Sequence, residues 1–462
     1  MDDPTTPDSF HLRPSKGAGS APLRLARSII LDIVEAKRNV GDFLGSQREL
    51  AERYRTSWPT LAQAVRWLED DGICAMRTGR GGGLVVTAAP SDSAARAMHL
   101  YLVGQAVDRG HLAEAGEAVD ELIAARACAR LSRADVDALD KLLGAGDRDP
   151  ATTIAGIDSA VVAAARQPVL ALFAQVLGLL EADDLERAPA NLDEELALRR
   201  GLALAVIAGE PVNAAQLMAK RRRWPDLPGE APPRAPRRSE ALARTIEARI
   251  RAEALPPGTR LGLERELMER FAASRLTLRA ALRLLERAGR VMTLPGRGGG
   301  IFVGDLRPDT AVDAATLYLT TIRLRASEQM EARAALEARA VQLAARRATP
   351  VQAAALRHAI ERERQAVLDL QPDWGARGAE VERAILQACN NPVLSFFTHM
   401  LIELAFRQVD QTEVAIGPEE MAPRVAAAHQ TIAAEVLSGR PEHAARETLL
   451  HVQALMSWFT DA

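Results

Sequence analysis

The sequence is poor in cysteine, in aromatic residues and, over its second half, in lysine. Its three cysteines, Cys74, Cys128 and Cys389, lie far apart. That argues against a disulfide scaffold and a cysteine-built zinc site, and it suits a reducing cytosol. No lysine follows Lys220, so the second half cannot hold a cofactor as a lysine Schiff base. No run of about 18 apolar residues occurs, which argues against a membrane span. P-loop, GxSxG and HExxH motifs are all missing, so the common phosphate-binding, serine-hydrolase and zinc-protease sites have no foothold. The opening residues MDDPTTPDSFHLRPSKGAGSAP contain no apolar stretch. They read as a disordered leader over 1–21 rather than a signal peptide, and with the few cysteines the expected location is the cytoplasm. Net charge is −3, so a nucleic-acid partner would have to be met by a local basic surface.

What the sequence has is a repeat. GRGGGLVV at Gly79–Val86 returns as GRGGGIFV at Gly296–Val303, an offset of 217. The same offset aligns Gln47–Ser57 (QRELAERYRTS) with Glu264–Ser274 (ERELMERFAAS), and Ala64–Ile73 with Ala281–Arg290. After a small insertion, Ala163–Phe173 (AAARQPVLALF) pairs with Leu386–Phe397 (LQACNNPVLSFF). So long a period is not a solenoid but a duplicated two-domain unit. A Pro-rich stretch around 225–238 reads as the linker between the copies.

Within the second copy, Leu242, Ile246 and Ile250 keep a helical period. LPPGTRL then breaks the chain, because Pro and Gly interrupt helices. Glu264–Phe271 reads as a short helix, and Ala272 to Ser274 as a tight turn with Ser274 placed to cap the next helix. That helix, Arg275–Ala288, buries Leu278, Leu282 and Leu285 and turns Arg275, Thr277, Arg279 and Arg283 elsewhere. Arg290–Thr293 and Ile301–Val303 read as two strands around a Gly-rich tip that carries Arg297. Two helices, a turn, a third helix and a β-hairpin make a winged helix-turn-helix. Such a helix fits the major groove, where an arginine can donate two hydrogen bonds to guanine O6 and N7. Residues 239–304 hold twelve Arg against seven Glu, the local positive excess that phosphate attraction needs.

These residues, LGLERELMERFAASRLTLRAALRLLERAGRV, resemble the DNA-binding domain of the GntR family. Its pattern runs roughly L-P-S-E-R-E-L-A, then V-S-R-x-x-V-R-E-A-L-x-x-L, then G. The resemblance implies that Arg265, Arg275 and Arg279 contact DNA, with Ser274 and Thr277 as phosphate or base-edge partners and Arg297 as a wing accessory. A solvated arginine-rich helix face is the plain alternative. The first copy departs from the pattern. It keeps Arg48 and Ser57, but Trp58 stands at the Arg275 position, Pro59 follows it, and Ala62 stands at the Arg279 position. Pro in a first turn leaves the helix intact. The first head is therefore expected to touch phosphates through Arg48, Thr60 and Arg80, or to pack elsewhere.

From Ala311 to the end the pattern is helical, with about six helices broken at Pro and Gly and no strand signal, as in an antiparallel bundle. Glu331–Thr349, Val381–Leu394 and Ala428–Val452 resemble the effector-binding FCD domain of the FadR-type branch of the GntR family. The resemblance implies a divalent-metal site of one Asp and three His that helps bind a small carboxylate. Here His429 and His451 match two of the His positions, Glu382 stands at the third, and Gly378 stands at the Asp position. Glu382, His429 and His451 can hold zinc or a similar ion, or they can hydrogen-bond to one another or to an effector. Arg333 matches an arginine that faces the pocket. It can bind a carboxylate or pair with Glu337. In the first copy Gly116, Asp158, Arg199 and Arg221 occupy the Arg333, Glu382, His429 and His451 positions, which suggests an ion-paired plug, with an anion site as the alternative.

The expected fold is mainly α: two winged helix-turn-helix domains (22–88, degenerate, and 239–304) and two antiparallel all-α bundles (89–224, degenerate, and 305–462) in tandem. The expected function is sequence-specific transcription regulation, with double-stranded DNA and a small-molecule, carboxylate-type effector as partners. A tandem chain can act alone as a pseudo-dimer on an imperfect palindrome; a homodimer is the alternative assembly. A metal-dependent enzyme, or a scaffold whose DNA binding has decayed, are the competing readings.

Overall fold

The computed structural model describes residues 21–36, 38–70, 72–79, 81–87, 90–105, 107–144, 149–182, 191–223, 238–287, 289–294, 296, 298–305, 308–371, 373–409 and 417–458. The expected leader, except Ala21, and the expected linker, except Arg238, lie outside these residues, as do Arg80 and Arg297. The described chain is mainly helical, with two small antiparallel sheets.

The chain opens with α1 (Ala21–Glu35), β1 (Phe43–Gly45), α2 (Gln47–Arg53), α3 (Trp58–Asp70), β2 (Cys74–Arg77) and β3 (Gly83–Val86). Ser46 starts α2 with a capping box: its hydroxyl accepts from the Glu49 N–H while Glu49 Oε2 accepts from the Ser46 N–H at 2.7 Å. Such boxes satisfy two otherwise orphaned donors. Helices α4 (Ser91–Val103), α5 (Arg109–Arg130), α6 (Arg133–Leu143), α7 (Pro150–Ala164), α8 (Pro168–Ala182), α9 (Leu192–Ile207) and α10 (Pro211–Arg223) follow. The same succession then recurs as α11 (Arg238–Ala252), β4 (Arg260–Gly262), α12 (Glu264–Arg270), α13 (Arg275–Arg287), β5 (Val291–Leu294) and β6 (Gly300–Val303). It closes with α14 (Asp309–Thr321), α15 (Ala326–Arg347), α16 (Pro350–Leu368), α17 (Trp374–Ala388), α18 (Pro392–Val409), α19 (Pro418–Leu437) and α20 (Pro441–Trp458).

Two expectations need correction. The wing is not a bare hairpin, because β4 adds a third strand in the order β4-β6-β5, mirrored by β1-β3-β2. Among its described residues the last segment has seven helices, α14 being the addition.

The two heads fill their centres differently. In the second, the carboxylate of Glu247, buried on α11, takes the Arg290 guanidinium at 2.6 and 2.8 Å. At the matching positions of the first head stand Ile30 and Ile73, both buried in its apolar core. Exchanging a buried ion pair for packed hydrophobic side chains is often neutral or stabilising, whereas removing one partner alone is costly. With both positions apolar, the first head buries neither half of such a pair without its partner.

The helical segments do not stand apart. One hydrophobic core takes in α4, α5 and α8 from the first and α14, α15 and α18 from the second. Phe173 stacks on Phe397 there. Around it run the ion pairs Arg126–Glu331, Arg347–Glu114 and Arg339–Glu117, the last at 2.7 Å. The first head is fastened to the second unit. Leu317 of α14 enters its core, Arg27 Nε meets the buried Asp313 carboxylate at 2.8 Å, and Arg323 reaches Asn39 at 2.7 Å.

Candidate nucleic-acid interface and effector cavity

Helix α13 starts where the sequence places it. Ser274 Oγ accepts from the Thr277 N–H at 3.1 Å and shares a 2.8 Å hydrogen bond with the Thr277 hydroxyl. Ser57 and Thr60 repeat the arrangement at 3.4 and 2.8 Å. The turn before each cap carries a non-glycine residue in the left-handed region, Ala272 and Arg55, both at φ 47°. That conformation costs about 1–2 kcal/mol and is held by the packed helices on either side.

Leu278, Ala281, Leu282 and Leu285 of α13 are buried, so the other face must look outward. The Arg275 and Arg279 side chains are 68% and 55% exposed. Burial of these two against a neighbouring element would have ended the groove-reading expectation. Both meet one carboxylate: Glu264 Oε1 lies 3.0 Å from Arg275 Nε and 2.8 Å from Arg279 Nε, and Arg279 Nη2 donates to Glu264 Oε2 at 3.1 Å. These hydrogen bonds, Arg279's first, hold the Glu264 carboxyl below its ordinary range. Arg265 is freer still, with Glu269 3.9 Å away. Sequence reading missed Glu264. Its signal was an acidic first residue of α12 with two arginines later in the chain, and only folding shows that they converge.

On the first head, Arg48 and Trp58 are exposed and Thr60 lies at the start of α3. Arg80 and Arg297 lie outside the described residues. Glycine is needed at their neighbours, since Gly296 and Gly298 have φ of 92° and 80°, a region closed to most side chains.

In the second bundle, Glu337, Glu382, His429 and His451 line a small cavity with Val341, Ile385, Ile402 and Ile432. Its volume is about 30 Å³, on the scale of about two waters. Arg333 is buried beside it and bonds both Glu337 and Glu382, reaching Glu382 Oε1 at 2.8 Å. Their two charges outweigh burial and hold the guanidinium above its ordinary range. Burial pushes Glu382 up to about 7 against the pull of Arg333. Helix α16 supplies a group that the sequence did not single out: Glu363 Oε1 lies 2.7 Å from His429 Nδ1. Burial pulls His429 down, but the Glu363 hydrogen bond and charge outweigh it, so His429 is raised. His451, 5.0 Å away ring to ring, is pushed well below its ordinary value by burial and by the charges of His429 and Arg333.

The residues expected as tentative metal ligands, Glu382 and His429, are engaged with protein groups in this structure. Among the described residues no three His, Cys, Asp or Glu side chains come together as an ion would require. The reason is that Arg333 already supplies a cation to Glu382, and Glu363 takes the imidazole of His429. Two buried carboxylate oxygens lack hydrogen-bond partners: Glu382 Oε2, on a residue that lines the cavity, and Glu363 Oε2, on the residue behind His429. They call for donors, and a carboxylate ligand would have to displace Glu382 from Arg333. In the first bundle Arg199, buried, grips Asp158 at 3.0 and 3.2 Å and also Glu195, as the ion-paired plug requires. The side chain of Arg221 lies outside the described residues.

Set against known proteins, residues 238–303 match the family described as bacterial regulatory proteins, gntR family, and residues 328–454 match the FCD domain. The uncharacterized HTH-type transcriptional regulator Rv0494 of Mycobacterium tuberculosis is 31% identical over 229 residues, 48% of this chain and 91% of that protein. The HTH-type transcriptional regulator Rv0792c of the same organism is 43% identical over 67 residues, 14% of this chain and 24% of that protein. Among solved structures, Streptococcus agalactiae GntR is 19% identical with a TM-score of 0.39, covering 47% of this chain and 99% of that one. E. coli McbR/YncC is 18% identical with a TM-score of 0.26, covering 48% and 96%. The class is that of a helix-turn-helix transcription regulator with a helical effector domain. The chain belongs to the gntR family of bacterial regulatory proteins, in its FCD-bearing form. No helix among the described residues is long and apolar enough to cross a membrane.

Proposed function

We propose that the chain is a tandem duplication of a one-head, one-bundle regulator and works as a single-chain pseudo-dimer on an imperfect palindrome in the cytoplasm. Its units are 22–88 with 89–224, and 239–304 with 305–462. The second head reads sequence through Arg265, Arg275 and Arg279, with Ser274, Thr277 and Arg297 beside them. The first contributes phosphate contacts through Arg48, Thr60 and Arg80.

The observation that carries this reading is a reciprocal contact. Gln167 Nε2 donates to the Glu328 carbonyl at 2.6 Å, and Asn391 Nδ2 donates to the His111 carbonyl at 3.0 Å. Gln167 and Asn391 are matching positions in the repeat, and so are His111 and Glu328. In a twofold dimer residue i meets j while j meets i; here both halves of such a contact sit in one chain. Rv0494 supports it further, since 91% of that protein is matched within 48% of this chain. Joining the halves covalently raises their effective concentration without any new contact.

An effector entering the second cavity would meet Arg333, Glu382, His429 and His451 over an apolar floor. The orphaned Glu382 Oε2 favours a small molecule that brings a hydrogen-bond donor.

Sedimentation equilibrium tests the assembly: the expected species has the chain mass of 49.8 kDa, and a stable homodimer with four heads would overturn the single-chain version. A gel shift on the chain's own upstream DNA tests the heads. Arg275→Ala/Arg279→Ala should lose specific binding, and Arg48→Ala should weaken all duplexes alike and lower the salt slope by about one. Specific binding that survives the double change would remove the second-head assignment.

A further inference from the structure

We propose that Glu264 is a positioning residue for base reading: its carboxylate holds the Arg275 and Arg279 guanidiniums in one fixed fan and so sets the specificity of the second head. The proposal rests on the reading that these two arginines enter the groove.

Three observations carry it. The first is geometric. A single carboxylate on α12 meets both Nε atoms, 3.0 and 2.8 Å from Oε1, across a turn from α13. Arg275 and Arg279 are one helical turn apart, so their like charges repel and their long side chains would otherwise sample many rotamers. A shared acceptor removes both problems before DNA arrives.

The second is electrostatic. The local surface gains DNA affinity from its positive excess, and a carboxylate among the candidate contacts opposes the phosphates. A residue that lowers general affinity at that position is explained by what it does to the two guanidiniums.

The third is internal to the chain. At the three matching positions the first head has Gln47, Trp58 and Ala62. The carboxylate is absent along with both cations, while Arg48, Ser57 and Thr60 around them remain. Helix α2 begins at Gln47 with its capping box intact, so starting this helix does not require an acid there. The three residues behave as one unit, present in one head and absent from the other.

The test uses the full chain, a duplex selected from random sequence by the wild-type protein, and a scrambled duplex of equal length. Glu264→Gln places in the second head the residue that the first head already tolerates, so it should fold, and an unchanged melting temperature checks this. We expect the scrambled duplex to bind as well or more tightly, the selected duplex more weakly, and their ratio to fall about tenfold. Glu264→Asp keeps the charge on a shorter arm and should lower the ratio too, because distance matters. An unchanged ratio in Glu264→Gln, or full specificity in Glu264→Asp, overturns the proposal. Arg275→Ala/Arg279→Ala is run alongside. If that variant keeps the wild-type ratio, the underlying reading of the head fails, and that failure is distinct from failure of Glu264 alone.

Discussion

The ring of Phe173 lies flat on the ring of Phe397, with centroids 4.0 Å apart and planes 2° from parallel. The two are matching positions of the repeat, and a residue that touches its own counterpart sits where a twofold axis would pass. Both side chains are fully buried. Removing one ring leaves a cavity that the other cannot fill. Phe397→Ala should therefore lower stability by about 3–5 kcal/mol. Because one core spans both bundles, urea should unfold them in a single transition shifted to lower midpoint. Two separate transitions in the wild type would show that the bundles are independent bodies.

The cavity of the second bundle makes a prediction about metal. Arg333 occupies Glu382 and Glu363 occupies His429, so the positive charge there belongs to the protein. Purified protein should carry far less than one divalent ion per chain by mass spectrometry, and a chelator should leave its melting temperature unchanged. A stoichiometric ion whose removal lowers that temperature would mean that Arg333 gives way to metal.

The recognition helix was legible in the sequence because its causes are local: an apolar stripe of Leu278, Leu282 and Leu285, a serine cap, and glycines at the wing. What was not legible depends on distant partners. Strand β4 is three residues long and exists because β6 pairs with it, Arg260 against Phe302 with a register shift before Gly262. Helix α14 is buried on most sides and so lacks the one-sided stripe that marks a surface helix. Gly378 read as a lost ligand. In space a Cβ there would come within 2.9 Å of Glu363 Oε1, so a carboxylate from another helix fills the place that Gly378 leaves open. Glu264 was hidden for the same reason, since its partners lie across a turn.

Acid should expose one surface cluster selectively. Asp135 caps α6 through Ser132, and Arg166 donates to it at 2.7 Å. Those hydrogen bonds, Ser132's first, lower its carboxyl from 3.8 to about 2. A depressed carboxyl stabilises the fold above its ordinary pKa, and that contribution is lost as pH falls through the folded value. The difference in urea midpoint between wild type and Asp135→Asn should be steady at neutral pH and shrink as pH drops from 3.8 toward about 2. A difference that stays constant over that window would show that the carboxyl is not depressed.

An apolar side chain stands among the arginines of α13. Leu276 follows Arg275 at the start of α13 and is 77% exposed, while the matching position of the first head is Pro59. In the major groove the apolar mark is the thymine 5-methyl group, and it is read by contact with an aliphatic side chain. Replacing thymines of the selected duplex one at a time by deoxyuridine removes that methyl and nothing else. At one position the wild-type protein should lose about fivefold or more in affinity, and Leu276→Ala should be indifferent to the same change. The two losses should not add, because each deletes one side of a single contact. Full additivity at every thymine would place Leu276 outside the groove and leave recognition to the guanidiniums alone.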